Sequence, residues 1–568
     1  MLRAGLLALL LLPAQLAAKL VVIGLTPEQE SNVRALLPLA SASCETGQWR
    51  VKRLFRDADD QIARALEALG YYHAVVNKTL SWEQGCWQAE FKVDPGRPVY
   101  LRGVDFKVRG EAADDAAVMA LLRADQPQPG DILHHGKYDA FRDRARDRLI
   151  ERGYFDAEYS DSRVVVDTQR HEANITLTLE SGPRYRFGQV SYTGGILRQQ
   201  LLQGYSDISS GDFYNARALT DLSAALSKSG YFGSVSVSTE SPDPSTRSVD
   251  VNVRLTPGNR HVYRAGIGFA TDTGAQGQLG YSNRRRSANG GRFESRLFLS
   301  EVNSEVSASY RWPRQDPRRE WVILTAGFNH EDTETSESDA YKLGVSRSRR
   351  VSEKWLEKPY LELLYEDFTV GGERDSSGLL IGGFSWESVT GREPDRVTRG
   401  RSLSYDIRGA GRQLGSDTSF LQLRARGKWI RSFNADTRLL MRAKISTTLK
   451  EDFEELPPSV RFFVGGDRSI RGYDFESLGP RNDRGKVVGG AHVIETSVEV
   501  DHVVRGNWSL AGFVDSGSAF NERPEFFTGV GLGVRWQSPV GPIRVDLATA
   551  LDDSDGGLRV HISMGPDL

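Results

Sequence analysis

From about His261 to the end of the chain, apolar and polar positions alternate with a period of two in short runs separated by polar turns. Tyr263, Ala265, Ile267 and Phe269 alternate with Arg264, Gly266 and Gly268, and Leu558, Val560, Ile562 and Met564 alternate with Arg559, His561 and Ser563. Val306, Ala308, Tyr310 and Trp312 keep the same phase, as do Leu439, Met441, Ala443 and Ile445. Successive side chains of a strand point to opposite faces, so each run predicts a strand with one apolar and one polar side. About 300 residues at roughly 19 per strand and turn give about 16 antiparallel strands. Such alternation suits a soluble sandwich or a transmembrane barrel, whose outside meets lipid and whose inside meets a watery lumen. The absence of a domain break and the aromatics near strand ends (Tyr310, Trp312, Trp321, Phe328, Trp386 and Trp536) favour the barrel.

The first half reads differently. Leu66-Glu67-Ala68-Leu69-Gly70-Tyr71-Tyr72, Leu149-Ile150-Glu151-Arg152-Gly153-Tyr154-Phe155 and Leu226-Ser227-Lys228-Ser229-Gly230-Tyr231-Phe232 are one phrase three times over, at the spacing of small domains. Each phrase ends an amphipathic helix; before Gly153, Tyr138, Phe141, Ala145 and Leu149 recur at helical spacing. A glycine at this point accepts the left-handed conformation that closes a helix. Alternating segments follow, such as Ile175, Leu177 and Leu179, and each unit closes on a turn, for example Asp94-Pro95-Gly96-Arg97. A strand, helices and two strands are therefore expected per unit. The helix ending in Gly-Tyr-Phe or Gly-Tyr-Tyr, the hairpin and the Pro-Gly or Gly-Pro closure resemble the polypeptide-transport-associated (POTRA) domain. That resemblance implies α+β repeats with an exposed sheet edge able to accept an extended segment. The expected organisation is a leader at 1–18, POTRA domains at 19–97, 98–183 and 184–258, and an all-β transmembrane barrel at 259–568.

Composition narrows the function classes. Lys and Arg total 73 against 75 Asp and Glu, a formal net charge of −2, which gives no electrostatic reason to expect a nucleic-acid partner. Arg3, the apolar run Leu6–Leu12 and the small residues Ala14, Ala17 and Ala18 form the pattern of a secretory leader. Beyond it no apolar run is long enough to span a bilayer as a helix, and mean hydropathy is −0.43. Cys44 and Cys86 are the only cysteines; in an exported protein they read as one disulfide, whereas a metal site would need partners that their spacing does not supply. No nucleophile elbow, His-Glu-x-x-His or phosphate-binding loop occurs, so no catalytic residue, cofactor or metal is assigned. The basic runs Arg284-Arg285-Arg286 and Arg347-Ser348-Arg349-Arg350 read as solvated turns or lumen lining, with lipid phosphate contact as the alternative.

One motif carries functional content. Ser469-Ile470-Arg471-Gly472-Tyr473-Asp474-Phe475 resembles the Val-Arg-Gly-Tyr or Val-Arg-Gly-Phe signature on the sixth extracellular loop of the superfamily of outer-membrane assembly and secretion barrels, with Ile470 in place of Val. The resemblance implies that the loop folds back into the lumen and that Arg471 meets acidic groups of the wall, because a guanidinium in a confined space is costly unless paired. Phe513-Val514-Asp515-Ser516-Gly517 resembles the family's Phe-x-Asp-x-Gly strand, and Ser497-Val498-Glu499 the strand bearing a second acid. Asp515 and Glu499 are thus the expected counter-charges, with Phe513 on the same face as Asp515. Gly541 to Ala548 is similar to the family's penultimate strands, although a turn and an ordinary strand account for it equally well.

Three modules and a barrel of this size resemble the TamA branch, the outer-membrane subunits of the translocation and assembly module. General barrel-assembly factors usually carry five modules and a C-terminal aromatic, and two-partner-secretion pores usually carry two modules and a plug helix. The branch implies an outer-membrane factor with its POTRA domains in the periplasm. It would assist insertion or secretion of unfolded outer-membrane or autotransporter clients, in contact with outer-membrane lipid and with a TamB-like inner-membrane-anchored subunit. It also implies a working seam between the first strand (Tyr263, Ala265, Ile267, Phe269) and the last (Leu558, Val560, Ile562, Met564). The alternatives are a pore exporting a soluble protein and a general barrel-assembly factor.

Overall fold

In the computed structural model, residues 18–391, 396–539, 541–553 and 557–564 are described; all but residue 18 of the expected leader lies outside them. Two compact units divide the chain. One holds residues up to Ser191 with Ile208–Thr220 and Ser238–Asn252, and the other holds Tyr192–Asp207, Asp221–Val237 and Val253 onward.

Each repeat is a three-stranded sheet covered by helices. In the first, the central strand Cys86–Asp94 pairs antiparallel with Val75–Glu83 and parallel with Lys19–Ile23. Thr26 and Gln29 form a reciprocal capping box that starts the first helix, Pro27–Leu36. Val33, Ile62, Leu66, Trp87 and Phe91 fill the core between helices and sheet. Cys44 is bonded to Cys86 across 42 residues, which ties a polar loop to the start of the central strand. The second repeat has the same order, Tyr100–Arg109 parallel to Glu172–Glu180 and Glu158–Asp167 antiparallel to it. Arg186–Thr193, Ser248–Pro257 and Phe232–Thr239 make the third sheet. Gly70 ends its helix at φ +91°, with the Tyr71 amide reaching back to the Leu66 carbonyl at 2.9 Å. A Cβ there would meet the Leu133 carbonyl at 2.2 Å, so this glycine also admits the backbone of the following repeat.

From His261 to Met564 sixteen strands pair antiparallel in sequence order. The alternation read from sequence is the wall's two faces: Ile267, Leu343, Leu363, Ile445 and Leu532 are exposed on the outside, while Ser497, Gln422 and Asp515 are buried within. A soluble protein rarely exposes so continuous an apolar band. Trp312, Trp355, Trp386, Trp429, Trp508 and Trp536 lie near the strand ends on the rim where His261 begins the wall, here called the entry rim. Trp508 and Trp536 are cross-strand partners stacked at 5.4 Å. Such a ring suits a membrane interface. Trp321 is not part of it. It takes the phase opposite exposed Leu324 and lies under the Arg292 guanidinium, with its indole N–H on the Pro317 carbonyl.

Candidate functional site: the lumen loop and the seam

Residues 451–491, between the strands Thr437–Lys450 and His492–Arg505, fold back on themselves and into the barrel. Isolated bridges Phe462 to Gly490, Val464 to Leu478 and Arg481 to Val487 give the loop a hairpin form. Its apolar residues provide the adhesion. Phe462, Val464, Ile470, Tyr473 and Leu478 pack on Val493, Ala519 and Ala550 of the wall, and Leu456 and Val460 pack on Leu364, Leu379, Ile381 and Phe420. Removing this apolar surface from water helps to hold the loop inside.

Arg471 sits at the centre of one contact. Its Nε and Nη2 donate to the two oxygens of Asp515 at 2.6 and 2.9 Å, and its backbone amide donates to the same carboxylate at 3.2 Å. Nη1 donates to Glu499 Oε2 at 2.9 Å and to Asp546 Oδ2 at 3.0 Å. The guanidinium lies over the Phe513 ring, 3.3 Å from its centroid. Arg535 joins the group from the next strand by donating to Glu499 Oε1 at 3.1 Å and to Asp546. Three carboxylates and two guanidiniums, all less than a tenth exposed, thus pair with one another across four consecutive strands, and Arg442, 3.6 Å from Asp515, supplies the third positive charge. Burial of so many charges is tolerable only because each is paired and hydrogen-bonded.

Glycines let the loop come this close. Gly472 holds φ +100°, and a Cβ there would press on the Thr549 carbonyl carbon at 2.8 Å; on the wall, a Cβ at Gly529 would fall 1.8 Å from the Arg471 carbonyl. Tyr473 closes the motif by packing edge-on against Phe527 and donating its hydroxyl to the Thr528 carbonyl at 3.5 Å. Gly517 lies apart from the Arg471 group, opposite Glu495, where a Cβ would meet the Ile494 carbonyl at 2.7 Å.

The same loop reaches the seam. Tyr263, Ala265, Ile267 and Phe269 of the first strand, His261–Ala270, and Leu558, Val560, Ile562 and Met564 of the last, Leu558–Met564, take the outward phase. Among the described residues no ladder joins these two strands. They meet where the Thr271 amide donates to the Ile562 carbonyl at 3.1 Å and the Ile562 amide donates to Thr271 Oγ1 at 2.7 Å. Around this point the loop grips both sides. The Asp467 amide donates to Asp272 Oδ2 at 2.6 Å, Thr271 Oγ1 donates to Asp467 at 3.0 Å, and His561 Nδ1 lies 2.6 Å from Asp467 Oδ1. The Gly472 amide donates to His561 Nε2 at 2.9 Å, so the ring proton is on Nδ1 and points at Asp467. Asp474 pairs with Arg559 of the last strand. Burial, and then the neighbouring Asp467, push the Asp272 carboxyl up to about 7. Asp272, Asp467 and His561 bring potential metal-ligand atoms within 4.8 Å of one another. Both imidazole nitrogens are already committed, however, so the cluster acts as a hydrogen-bonded junction of first turn, loop and last strand.

Sequence reasoning named Arg471, Glu499 and Asp515 but not Asp546, Arg535 or the Asp272, Asp467 and His561 junction. Asp546 and Arg535 take the inward phase between the outward pairs Val545, Leu547 and Val534, Trp536, so alternation marks them as lumen charges. Nothing local marks Thr271, Asp272 or Asp467, which meet only through the return of the loop.

Comparisons with known proteins agree with this fold. Residues 264–567 match the Omp85 superfamily domain, residues 19–95 the POTRA domain described as TamA domain 1, and residues 185–258 the POTRA model described as surface antigen variable number repeat. The outer membrane protein assembly factor BamA of Nitratidesulfovibrio vulgaris is 22% identical over 96% of this chain and 72% of its own length. The BamA of Neorickettsia risticii is 22% identical over 69% of this chain and 56% of its own length. The crystal structure of BamA from Haemophilus ducreyi lacking POTRA domains 1-3 superposes with a TM-score of 0.70 at 16% identity, covering 82% of this chain and 99% of that one.

Proposed function

This chain belongs to the Omp85 superfamily, and on that footing we propose that it is an outer-membrane assembly factor of the TamA type, which inserts or secretes β-rich clients such as autotransporters. The observation that carries this reading is the seam. With no ladder to the last strand among the described residues, the first strand offers a row of backbone donors and acceptors along His261–Gly268. An unpaired strand edge beside lipid is costly unless another strand pairs with it, and a client strand supplies that pairing. Asp467 and His561 hold the gap at one end, so the edge is available without the barrel coming apart. The POTRA domains stand in the periplasm on this reading, where their sheet edges receive extended client segments, and a TamB-like inner-membrane-anchored subunit is the partner.

The test is a disulfide across the junction. A cysteine pair placed across the seam, one in His261–Ala270 and one in Leu558–Met564 with facing Cβ atoms, locks the seam under oxidation and frees it under reduction. Client insertion into vesicles should stop in the oxidised barrel and return on reduction. Insertion that proceeds equally in both states sinks the templating mechanism.

A second reading, a general barrel-assembly factor, is favoured by the relatives named BamA. Depletion of the chain separates the two. Loss of autotransporters alone speaks for the TamA type, and loss of outer-membrane barrels at large speaks for the general factor.

A further inference from the structure

On the outer face at the entry rim, the strands Arg399–Ala410 and Phe420–Ser432 end in a group of charges that lies outside the lumen-loop site and the seam. The register sets Arg399 directly opposite Arg431 and Arg401 opposite Trp429, and all three arginines are exposed. They share the outward phase with Leu403, Tyr405 and Leu423, so the guanidiniums stand on the lipid-facing side at the level of the tryptophan ring. Phe433, two-thirds exposed, continues the same phase past Arg431.

Among the described residues none of the three arginines has a carboxylate within 4.0 Å. Like charges directly opposite one another on an antiparallel pair repel. Other outward arginines of the same rim are neutralised by the wall itself, Arg347 by Glu320 at 2.7 Å and Arg349 by Glu357 at 2.5 Å. Those two carry no spare charge. The Arg399, Arg401 and Arg431 group does, flanked by aromatic rings suited to the boundary between headgroups and acyl chains. An anion between the guanidiniums removes the repulsion, and the fixed donor fork of arginine fits a phosphate.

We infer that Arg399, Arg401 and Arg431 form a docking site for the headgroup phosphate of an anionic phospholipid in the leaflet level with the entry rim. The inference rests on the membrane reading above. Bound there, the lipid neutralises one arc of the rim and fixes the height of this wall in the bilayer.

The full chain, reconstituted in nanodiscs of phosphatidylcholine doped with phosphatidylglycerol, tests it by native mass spectrometry of retained lipid. Wild type should retain phosphatidylglycerol selectively, and so should R347Q/R349Q. At about five-fold in affinity per arginine near a membrane surface, R399Q/R401Q/R431Q should weaken retention about 100-fold. The single variant R431Q, expected to lose about five-fold, serves if the triple variant fails to give the heat-modifiable band of a folded barrel. Equal retention by wild type and variants overturns the inference and leaves an acidic protein segment as the partner of these charges. A wild-type chain that enters the discs without preferring phosphatidylglycerol overturns it too, while a chain that does not enter the discs overturns the membrane reading itself.

Discussion

The arc of wall formed by Ser336–Arg350, Trp355–Val370 and Glu373–Thr390 and the arc that brings His261–Ala270 beside Leu558–Met564 are written in the same alternating pattern, yet they are held together differently. The first arc has strands of 15, 16 and 18 residues, with ladder partners along nearly their whole length. The second has strands of 10 and 7 residues that meet at Thr271 and Ile562 and are otherwise bridged by a loop. Closure by a ladder gives way only when many hydrogen bonds break together. Closure by Asp467, Gly472 and Asp474 acting on His561 and Arg559 can be released by moving one loop, while the rest of the wall keeps its pairing. The difference shows where such a barrel can open.

The largest expected effect comes from removing the loop's anchor. R471A leaves Asp515, Glu499 and Asp546 short of a counter-charge in the buried network, and breaking a buried pair from one side costs about 3–5 kcal/mol. The thermal midpoint of heat-modifiable mobility should fall well below that of wild type, with the long-strand arc still protected in hydrogen exchange. A variant that melts with wild type would show that the apolar contacts alone hold the loop.

A change at the junction should be smaller and local. D467N weakens the bonds to Thr271 and His561 and should cost about 1–3 kcal/mol. The expected readout is faster amide exchange at Leu558–Met564 with unchanged exchange across Trp355–Thr390. Equal acceleration in both arcs would mean that the loop does not single out the seam.

The smallest effect is that of pH. The Asp272 carboxyl, held near 7 in the folded chain and at ordinary carboxylate values when unfolded, contributes stability that is complete in acid and is lost as pH rises through 7. The seam should therefore exchange faster at pH 8 than at pH 6 once intrinsic rates are corrected, and D272N should abolish the difference. A seam indifferent to pH in wild type would remove Asp272 from the junction.

Much of this was legible in the chain. Alternation gave the number of strands and the face of each residue, because a strand's two sides are fixed by backbone geometry and need no partner to be read. The Gly-Tyr phrases marked three helix ends, and Gly70 owes its identity to a backbone angle that few other residues accept. Arg471, Asp515 and Glu499 were found through a motif, and Asp546 was missed even though its run had been noticed, since an inward acid on a strand does not say what it faces.

What the sequence determined by itself is local: periods of two and 3.6, turn residues, cysteine number, and the charge pattern on each face. Tertiary structure decided which distant charges share a site. Arg471 meets Asp546 across 75 positions, and Thr271 meets Ile562 across 291, because barrel closure and the return of one loop bring them together. Arg399 and Arg431 each look like an ordinary rim charge in sequence, and only register sets one against the other. Local pattern follows from covalent geometry and burial, whereas pairing across the lumen, the seam and the rim depends on how the whole sheet closes.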